Sequence, residues 1–267
     1  KVKKLMPGLN ADFVNVGYEK DAFLHYLDLG PRFSSYSQYV GELLANKKHI
    51  PQLQKKNLLP EIDKHGAIAD VLSPGQELLV QIVKEPISSK GPRLTTEISL
   101  TGRYLVLMPF CDKISVSQKI KSGEERTRLR QLLGSIKPKN FGIIVRTSAE
   151  GKKVAELNTE LKALMKCWED ALAKAQKVSA PALVFEEESR IVTALRDIFS
   201  TSFQDIYVND SEITQQIRNY VSIIAPESRD IVKEYTAPEP IFDKFGITRQ
   251  IKSSFGKTVS FRSEAYI

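Results

Sequence analysis

Apolar and polar positions alternate in short runs over the first third of the chain, with the two-residue period of half-buried strands. Within residues 1–29, Val2, Leu5, Phe13, Val14, Val16, Phe23 and Leu24 are punctuated by the turn formers Pro7-Gly8 and Gly17. Residues 78–83 follow the Pro74-Gly75 turn and predict a strand, and residues 94–100 predict another. Several short strands with Gly/Pro turns fit a small antiparallel barrel. Residues 30–66 interrupt this pattern. Their periodicity is weak, they are rich in Ser, Gln, Asn and Lys, and prolines stand at 31, 51 and 60. A connection that long reads as a functional or mobile insertion.

From residue 101 the period changes. Residues 104–108 form an apolar strand stopped by Pro109, residues 124–133 read as a short helix, and residues 141–145 are a second apolar strand. Across residues 151–177 the apolar positions Val154, Leu157, Leu161, Leu164, Met165, Trp168 and Leu172 recur near every 3.6 residues, which predicts a long amphipathic helix. Strand–helix–strand–helix is an α/β unit. Residues 181–267 repeat the alternation. Strands are expected at 182–185, 206–208 and 231–232, with a helix from Ser189 to Ile198 and a second running from Asp210, its cap, to about Ile224. A helical stretch follows over 240–255, then a hairpin-like strand pair starting at 258–261.

Composition adds exclusions. The 267 residues are 42% hydrophobic and 27% charged, ordinary for a globular chain and unlike a disordered one. Two cysteines exclude a disulfide scaffold, and no apolar run approaches the roughly 18 residues of a membrane helix. The net charge of +7 is unevenly spread. Residues 98–192 carry 17 basic and 11 acidic side chains, whereas the flanking segments are nearly balanced. That middle segment is therefore either an anion-binding surface or a set of solvated helix faces.

Two groups of residues carry candidate chemistry. Phe13 and Phe23 lie ten positions apart on neighbouring expected strands. They read either as barrel core or as a platform on which unpaired bases stack. Arg146-Thr147 follows an apolar strand and precedes a helix, a place where backbone N–H groups and the helix dipole favour an anion. The Arg fork and the Thr hydroxyl suit phosphate oxygens, and a salt bridge from Arg146 to the long helix is the alternative.

Around these residues the chain resembles the ribonuclease E/G family. The resemblance rests on Lys4-Leu5-Met6-Pro7-Gly8-Leu9-Asn10-Ala11-Asp12-Phe13-Val14-Asn15-Val16-Gly17, on Lys90-Gly91-Pro92-Arg93-Leu94-Thr95-Thr96, on Ser99-Leu100-Thr101-Gly102-Arg103-Tyr104-Leu105-Val106-Leu107-Met108-Pro109, and on Gly142-Ile143-Ile144-Val145-Arg146-Thr147. It extends over essentially the whole chain, in order and with similar spacing. It implies an α+β multi-domain fold: an OB-fold antiparallel barrel at 1–97 with an insertion at about 30–66, an α/β 5′-phosphate sensor at 98–192, and a partial RNase H-like subdomain at 193–267 leading into an absent nuclease domain. It implies single-stranded RNA as partner, preferably 5′-monophosphorylated, in a bacterial cytoplasm, for RNA processing and decay. Phe13, Phe23 and Lys90 would bind RNA. Arg146 and Thr147 would bind the 5′-phosphate, and Gly102 and Val106 would contact the terminal nucleotide, although Val106 also reads as core. Lys119 lies near a basic RNA-contacting pair of the family, of which the other position is here Gln118.

The same resemblance implies a metal-dependent endoribonuclease for the full-length protein, with magnesium, a subunit-linking zinc and a homo-oligomer. Its two aspartates and its Cys-Pro-x-Cys pair do not occur in this sequence. No catalytic residue, metal site or cofactor is therefore expected in this chain. Cys111 and Cys167 lack paired spacing, His25, His49 and His65 read as surface or packing histidines, and Asp197, Asp205 and Asp210 read as helix-surface, turn and cap residues. Two other readings stay open. One is a stand-alone, non-catalytic RNA-binding or adaptor protein. The other is an α/β enzyme taking a phosphorylated small molecule at Arg146, without a P-loop or Rossmann fingerprint.

Overall fold

The short alternating runs at the start of the chain become three antiparallel strands, β1 (Val2–Met6), β2 (Ala11–Val14) and β3 (Ala22–His25). The fold is seen in a computed structural model that describes residues 1–187, 190–200 and 202–255. It divides into two units, Lys1–Glu187 and Glu188–Ile267.

In the first unit β3 is followed by helices α1 (Phe33–Ala45) and α2 (Ile68–Val71) and by strands β4 (Gln81–Lys84) and β5 (Arg93–Thr95). The five strands form a sheet of order β1-β2-β3-β5-β4. β3 and β5 run parallel and the other neighbours antiparallel. The inward residues Val14, Ala22, Leu24 and Leu94 are buried.

The expected OB-fold barrel is not formed. Among the described residues no sheet closes, and β1 and β4 are open edges. The strands are three to five residues long, and register shifts interrupt both the β1–β2 and the β4–β5 pairing. So short a ladder ends before its edges meet. The edge of β1 is met by a turn instead: the Val2 N–H donates to the Gln76 carbonyl at 2.9 Å, and the Gly75 N–H to the Val2 carbonyl at 2.9 Å. Leu78, Leu79 and Val80, expected in a strand, pack on the core outside any strand.

Residues 30–66 also differ from their expected weak periodicity. Phe33, Tyr36, Tyr39, Val40 and Leu43 recur at helical spacing and make the buried face of α1. Each hydroxyl on this face is satisfied, Tyr39 donating to the Pro51 carbonyl at 2.6 Å and Tyr36 to that of Leu79. Phe110 meets Tyr36, Tyr39 and Trp168 edge-on at 5.6, 5.4 and 6.4 Å. These rings join α1 to the rest of one continuous core.

The rest of the unit comprises β6 (Leu100–Thr101), β7 (Leu105–Pro109), β8 (Ile114–Val116), α3 (Gly123–Ile136), β9 (Phe141–Val145) and α4 (Val154–Lys177). Their sheet has the order β6-β7-β9-β8, with β8 and β9 parallel. α3 starts at Ser122, whose hydroxyl accepts the Glu125 N–H, and α4 buries Leu157, Leu161, Leu164, Trp168 and Leu172 against the sheet.

The second unit holds α5 (Arg190–Ile198), β10 (Ile206–Val208), α6 (Ser211–Ile224), β11 (Val232–Glu234), α7 (Ile241–Lys244) and α8 (Ile247–Ser254). β10 and β11 pair in parallel, and a separate small core contains Leu195, Phe199, Ile217 and Val221. Asp210 caps α6 by accepting the Ile213 N–H at 2.9 Å. Residues 182–185 are not a strand. The helix start at Ser189 and the strand pair at 258–261 lie outside the described residues. The chain is thus an α+β, multi-domain protein with several sheets. No helix among the described residues is long and apolar enough to cross a membrane.

Candidate nucleic-acid interface

Strand alternation sends Val14, Ala22 and Leu24 inward and leaves Phe13, Phe23 and His25 half-buried on the opposite face. Phe13 lies directly across from Phe23, with ring centroids 6.0 Å apart and planes at 68°. The His25 ring is 6.4 Å from Phe23. The same row continues across the sheet: Lys4 stands opposite Phe13 on β1, Arg93 opposite Phe23 on β5, and Lys84 opposite Arg93 on β4. Two aromatic rings are thereby flanked by basic side chains on both sides. Arg93 is held in place by a bidentate pair with Asp28, at 3.0 and 3.1 Å.

Lys90 is exposed in a tight turn in which Ile87 and Lys90 bridge. Gly91 lets this turn approach β3, since a Cβ there would lie 2.1 Å from the Asp21 carbonyl oxygen. The Phe23 N–H donates to the Pro92 carbonyl at 2.8 Å, and the Lys20 ammonium to that of Ser89 at 3.0 Å. These contacts bring Lys90 to the strand that carries Phe23.

The second group gathers at one end of the four-stranded sheet. Because β8 and β9 are parallel, the segments after them emerge together, Ser117-Gln118-Lys119 beside Arg146-Thr147. The Ser117 N–H donates to the Val145 carbonyl at 2.9 Å. The antiparallel β7 begins at this same end, which adds the turn of residues 102–105. Arg146 joins the segments: its N–H donates to the Tyr104 carbonyl at 2.8 Å and its Nη1 to that of Gly102 at 2.8 Å. Lys119 and Thr147 are exposed. Val106 does not share the core of Leu105 and Leu107. It is half-buried on the other face of β7, opposite the exposed Ile144.

Gly102 is buried, and the space beside it is filled from within the protein. A Cβ at Gly102 would lie 2.6 Å from Cδ of Glu160 on α4. The Glu160 carboxylate accepts the N–H groups of Arg103, Tyr104 and Leu105 at 2.6, 2.8 and 2.8 Å. Sequence reasoning missed Glu160. Its signal was a carboxylate standing three residues after Leu157 and four before Leu164, inside the apolar stripe. Tyr104 was missed as a site residue too. Its ring lies 5.6 Å from the Arg103 guanidinium and 5.2 Å from the Lys152 ammonium.

Below this end, the Glu125 carboxylate accepts from Arg128 Nε and Nη2, both at 2.6 Å, and from the Gly151 N–H at 2.8 Å. The Arg128 hydrogen bonds and the Gly151 N–H hold its pKa down to about 2. This pins α3 to the loop that carries Thr147. The Asp12 carboxyl is buried under the five-stranded sheet, and burial raises its pKa, opposed by the N–H groups of Phe13 and Lys4. Among the described residues no three or more His, Cys, Asp or Glu side chains are grouped to hold a metal, and Cys111 and Cys167 are not joined in a disulfide.

Comparison with known proteins adds sequence relationships. The family model described as Ribonuclease E/G family matches residues 99–267. Ribonuclease E of Nostoc sp. is 35% identical over 271 residues, which covers 100% of this chain and 35% of that protein. Ribonuclease G of Haemophilus influenzae is 30% identical over 267 residues and that of Escherichia coli 31%, each covering 100% of this chain and 50% and 51% of the relative. The chain thus spans about half the length of these Ribonuclease G proteins and about a third of the Ribonuclease E.

Proposed function

From the premise that this chain belongs to the ribonuclease E/G family, we propose that it binds single-stranded RNA on its five-stranded sheet and reads a 5′-monophosphate at the end of its four-stranded sheet. The observation that carries this reading is the cross-sheet row Lys4, Phe13, Phe23, Arg93, Lys84. Bases stack on the two rings, and the flanking cations, with Lys90, follow the phosphates. Stacking contributes about 1–3 kcal/mol per base and tolerates any sequence. Each phosphate contact adds about 0.7 to the slope of log affinity against log salt.

At the sheet end, Arg146 and Thr147 take the terminal phosphate, with Lys119 at the rim and Val106 beside the terminal nucleotide. A 5′-monophosphate bears about −1.5 to −2 charges, by analogy with phosphoserine, against about −1 for an internal phosphodiester. A dedicated cation therefore favours the end over internal positions. This reading assigns recognition to the chain and no hydrolytic step.

The test is fluorescence anisotropy of the chain with one short RNA bearing either a 5′-monophosphate or a 5′-hydroxyl. The wild type binds the phosphorylated end more tightly. Arg146→Ala removes that preference, about tenfold or more for a charge-assisted contact, and leaves the hydroxyl-ended RNA unaffected. Equal loss for both ends would refute the sensor assignment.

A further inference from the structure

The turn of residues 102–105 has its polar groups taken up from two sides. Glu160 accepts three successive N–H groups, those of Arg103, Tyr104 and Leu105. From the other side, Arg146 Nη1 donates to the Gly102 carbonyl at 2.8 Å, and the Ser148 hydroxyl donates to that of Arg103. Glu160 is half-buried, and it can come so close only because residue 102 has no side chain. A carboxylate in an apolar stripe is costly unless its oxygens are satisfied, and backbone N–H groups satisfy these. Three convergent N–H groups are also the donor set that would otherwise cradle a phosphate. Here that set is occupied by the protein's own carboxylate.

We propose that Glu160 is a positioning residue for 5′-phosphate recognition. It fixes the turn so that the Gly102 carbonyl orients the Arg146 guanidinium, and it keeps the turn's N–H groups from the ligand, which leaves the phosphate to the side chains of Arg146 and Thr147. The proposal rests on the reading of Arg146 given above.

The experiment uses the whole chain and short RNAs ending in a 5′-monophosphate or a 5′-hydroxyl. Glu160→Leu restores an apolar stripe on α4 but leaves the turn unclamped. Glu160→Gln keeps one acceptor oxygen. The Leu variant is expected to lose about tenfold of the monophosphate preference, as when buried donors lose their acceptor, while its affinity for hydroxyl-ended RNA stays within about twofold. The Gln variant falls between it and the wild type, a rescue that a purely structural role would not produce. Three results overturn the proposal: full preference in both variants while Arg146→Ala abolishes it, a parallel drop for both RNA ends, or a gain in monophosphate affinity. A wild-type chain with no preference for the monophosphate overturns the Arg146 reading and this proposal together.

Discussion

Replacing Phe23 by Ala removes the ring in the middle of the cross-sheet row, between Phe13 on one side and Arg93 on the other. If a base stacks on that ring, about 1–3 kcal/mol of binding goes with it, roughly 5- to 150-fold in Kd. The edge-to-face contact with Phe13, at 6.0 Å, adds coupling of about 0.5–1.5 kcal/mol. Each single variant therefore also loosens the surviving ring, and Phe13→Ala combined with Phe23→Ala loses less than the two single losses summed. The fold loses little by comparison. Fully buried Phe→Ala changes cost about 3–5 kcal/mol, and a half-buried ring on the outer face falls well below that range. Anisotropy titrations with both 5′ ends, alongside thermal melts followed by circular dichroism, separate the two effects. Binding falls about 10- to 100-fold for both RNA ends alike, because a stacked base does not sense the terminus. Unchanged affinity in a folded variant would refute the stacking assignment, and so would a loss confined to phosphorylated RNA.

Two carboxylates give stability opposite dependences on pH. Burial raises the pKa of Asp12, so its contribution to folding is most favourable below the ordinary aspartate value of about 3.8 and is lost as pH rises through the elevated folded value. Asp12→Asn should therefore gain stability over the wild type as pH increases from that point, measured by urea denaturation across a pH series, and a constant difference at all pH values would disprove it. Glu125 is held down to about 2, so its pairing supports the fold above about 4.5 and fails as pH falls toward 2. Glu125→Gln should cost about 0.5–1 kcal/mol at neutral pH, the range of a solvent-screened ion pair, and the cost should vanish as pH falls through about 2. An acid-side melt series in which the two proteins stay equally far apart would count against it.

Where side chains of one kind repeat at a clear period, the sequence was read correctly. The apolar run of β9 matches the strand at Phe141–Val145, and the 3.6-residue period across 151–177 matches α4. The failures share a cause. The buried stripe of α1 is largely aromatic, set among Ser, Gln and Gly, and two of its rings carry hydroxyls that count as polar until Pro51 and Leu79 supply acceptors. β8 has only three residues, too few for any period to register. The barrel was expected from strand number and turn chemistry, but closure depends on register between strands far apart in sequence, and the shifts at Val2/Lys4 and Ile82/Lys84 leave no local trace.

Charge was the weakest guide to the candidate site. Several basic residues of 98–192 stand in local pairs, Arg128 with Glu125, Lys152 with Glu156, Lys166 with Asp170 and Lys137 with Asp112, so the basic count of the segment does not mark the site. What gathers Lys119, Arg146, Thr147 and the 102–105 turn is strand direction. Two parallel strands discharge their following segments at one end, and an antiparallel neighbour must begin there, whatever the distance along the chain. Residue types could single out Arg146 as a candidate for phosphate. Only the packing of α4 against β6 and β7 brings Glu160, 57 positions from Arg103, onto the back of the same turn. The visible sign was a glutamate where the helical period called for a core residue. Such a break in an apolar stripe is a pointer to a buried hydrogen-bond donor, here three of them, supplied by the backbone that positions Arg146.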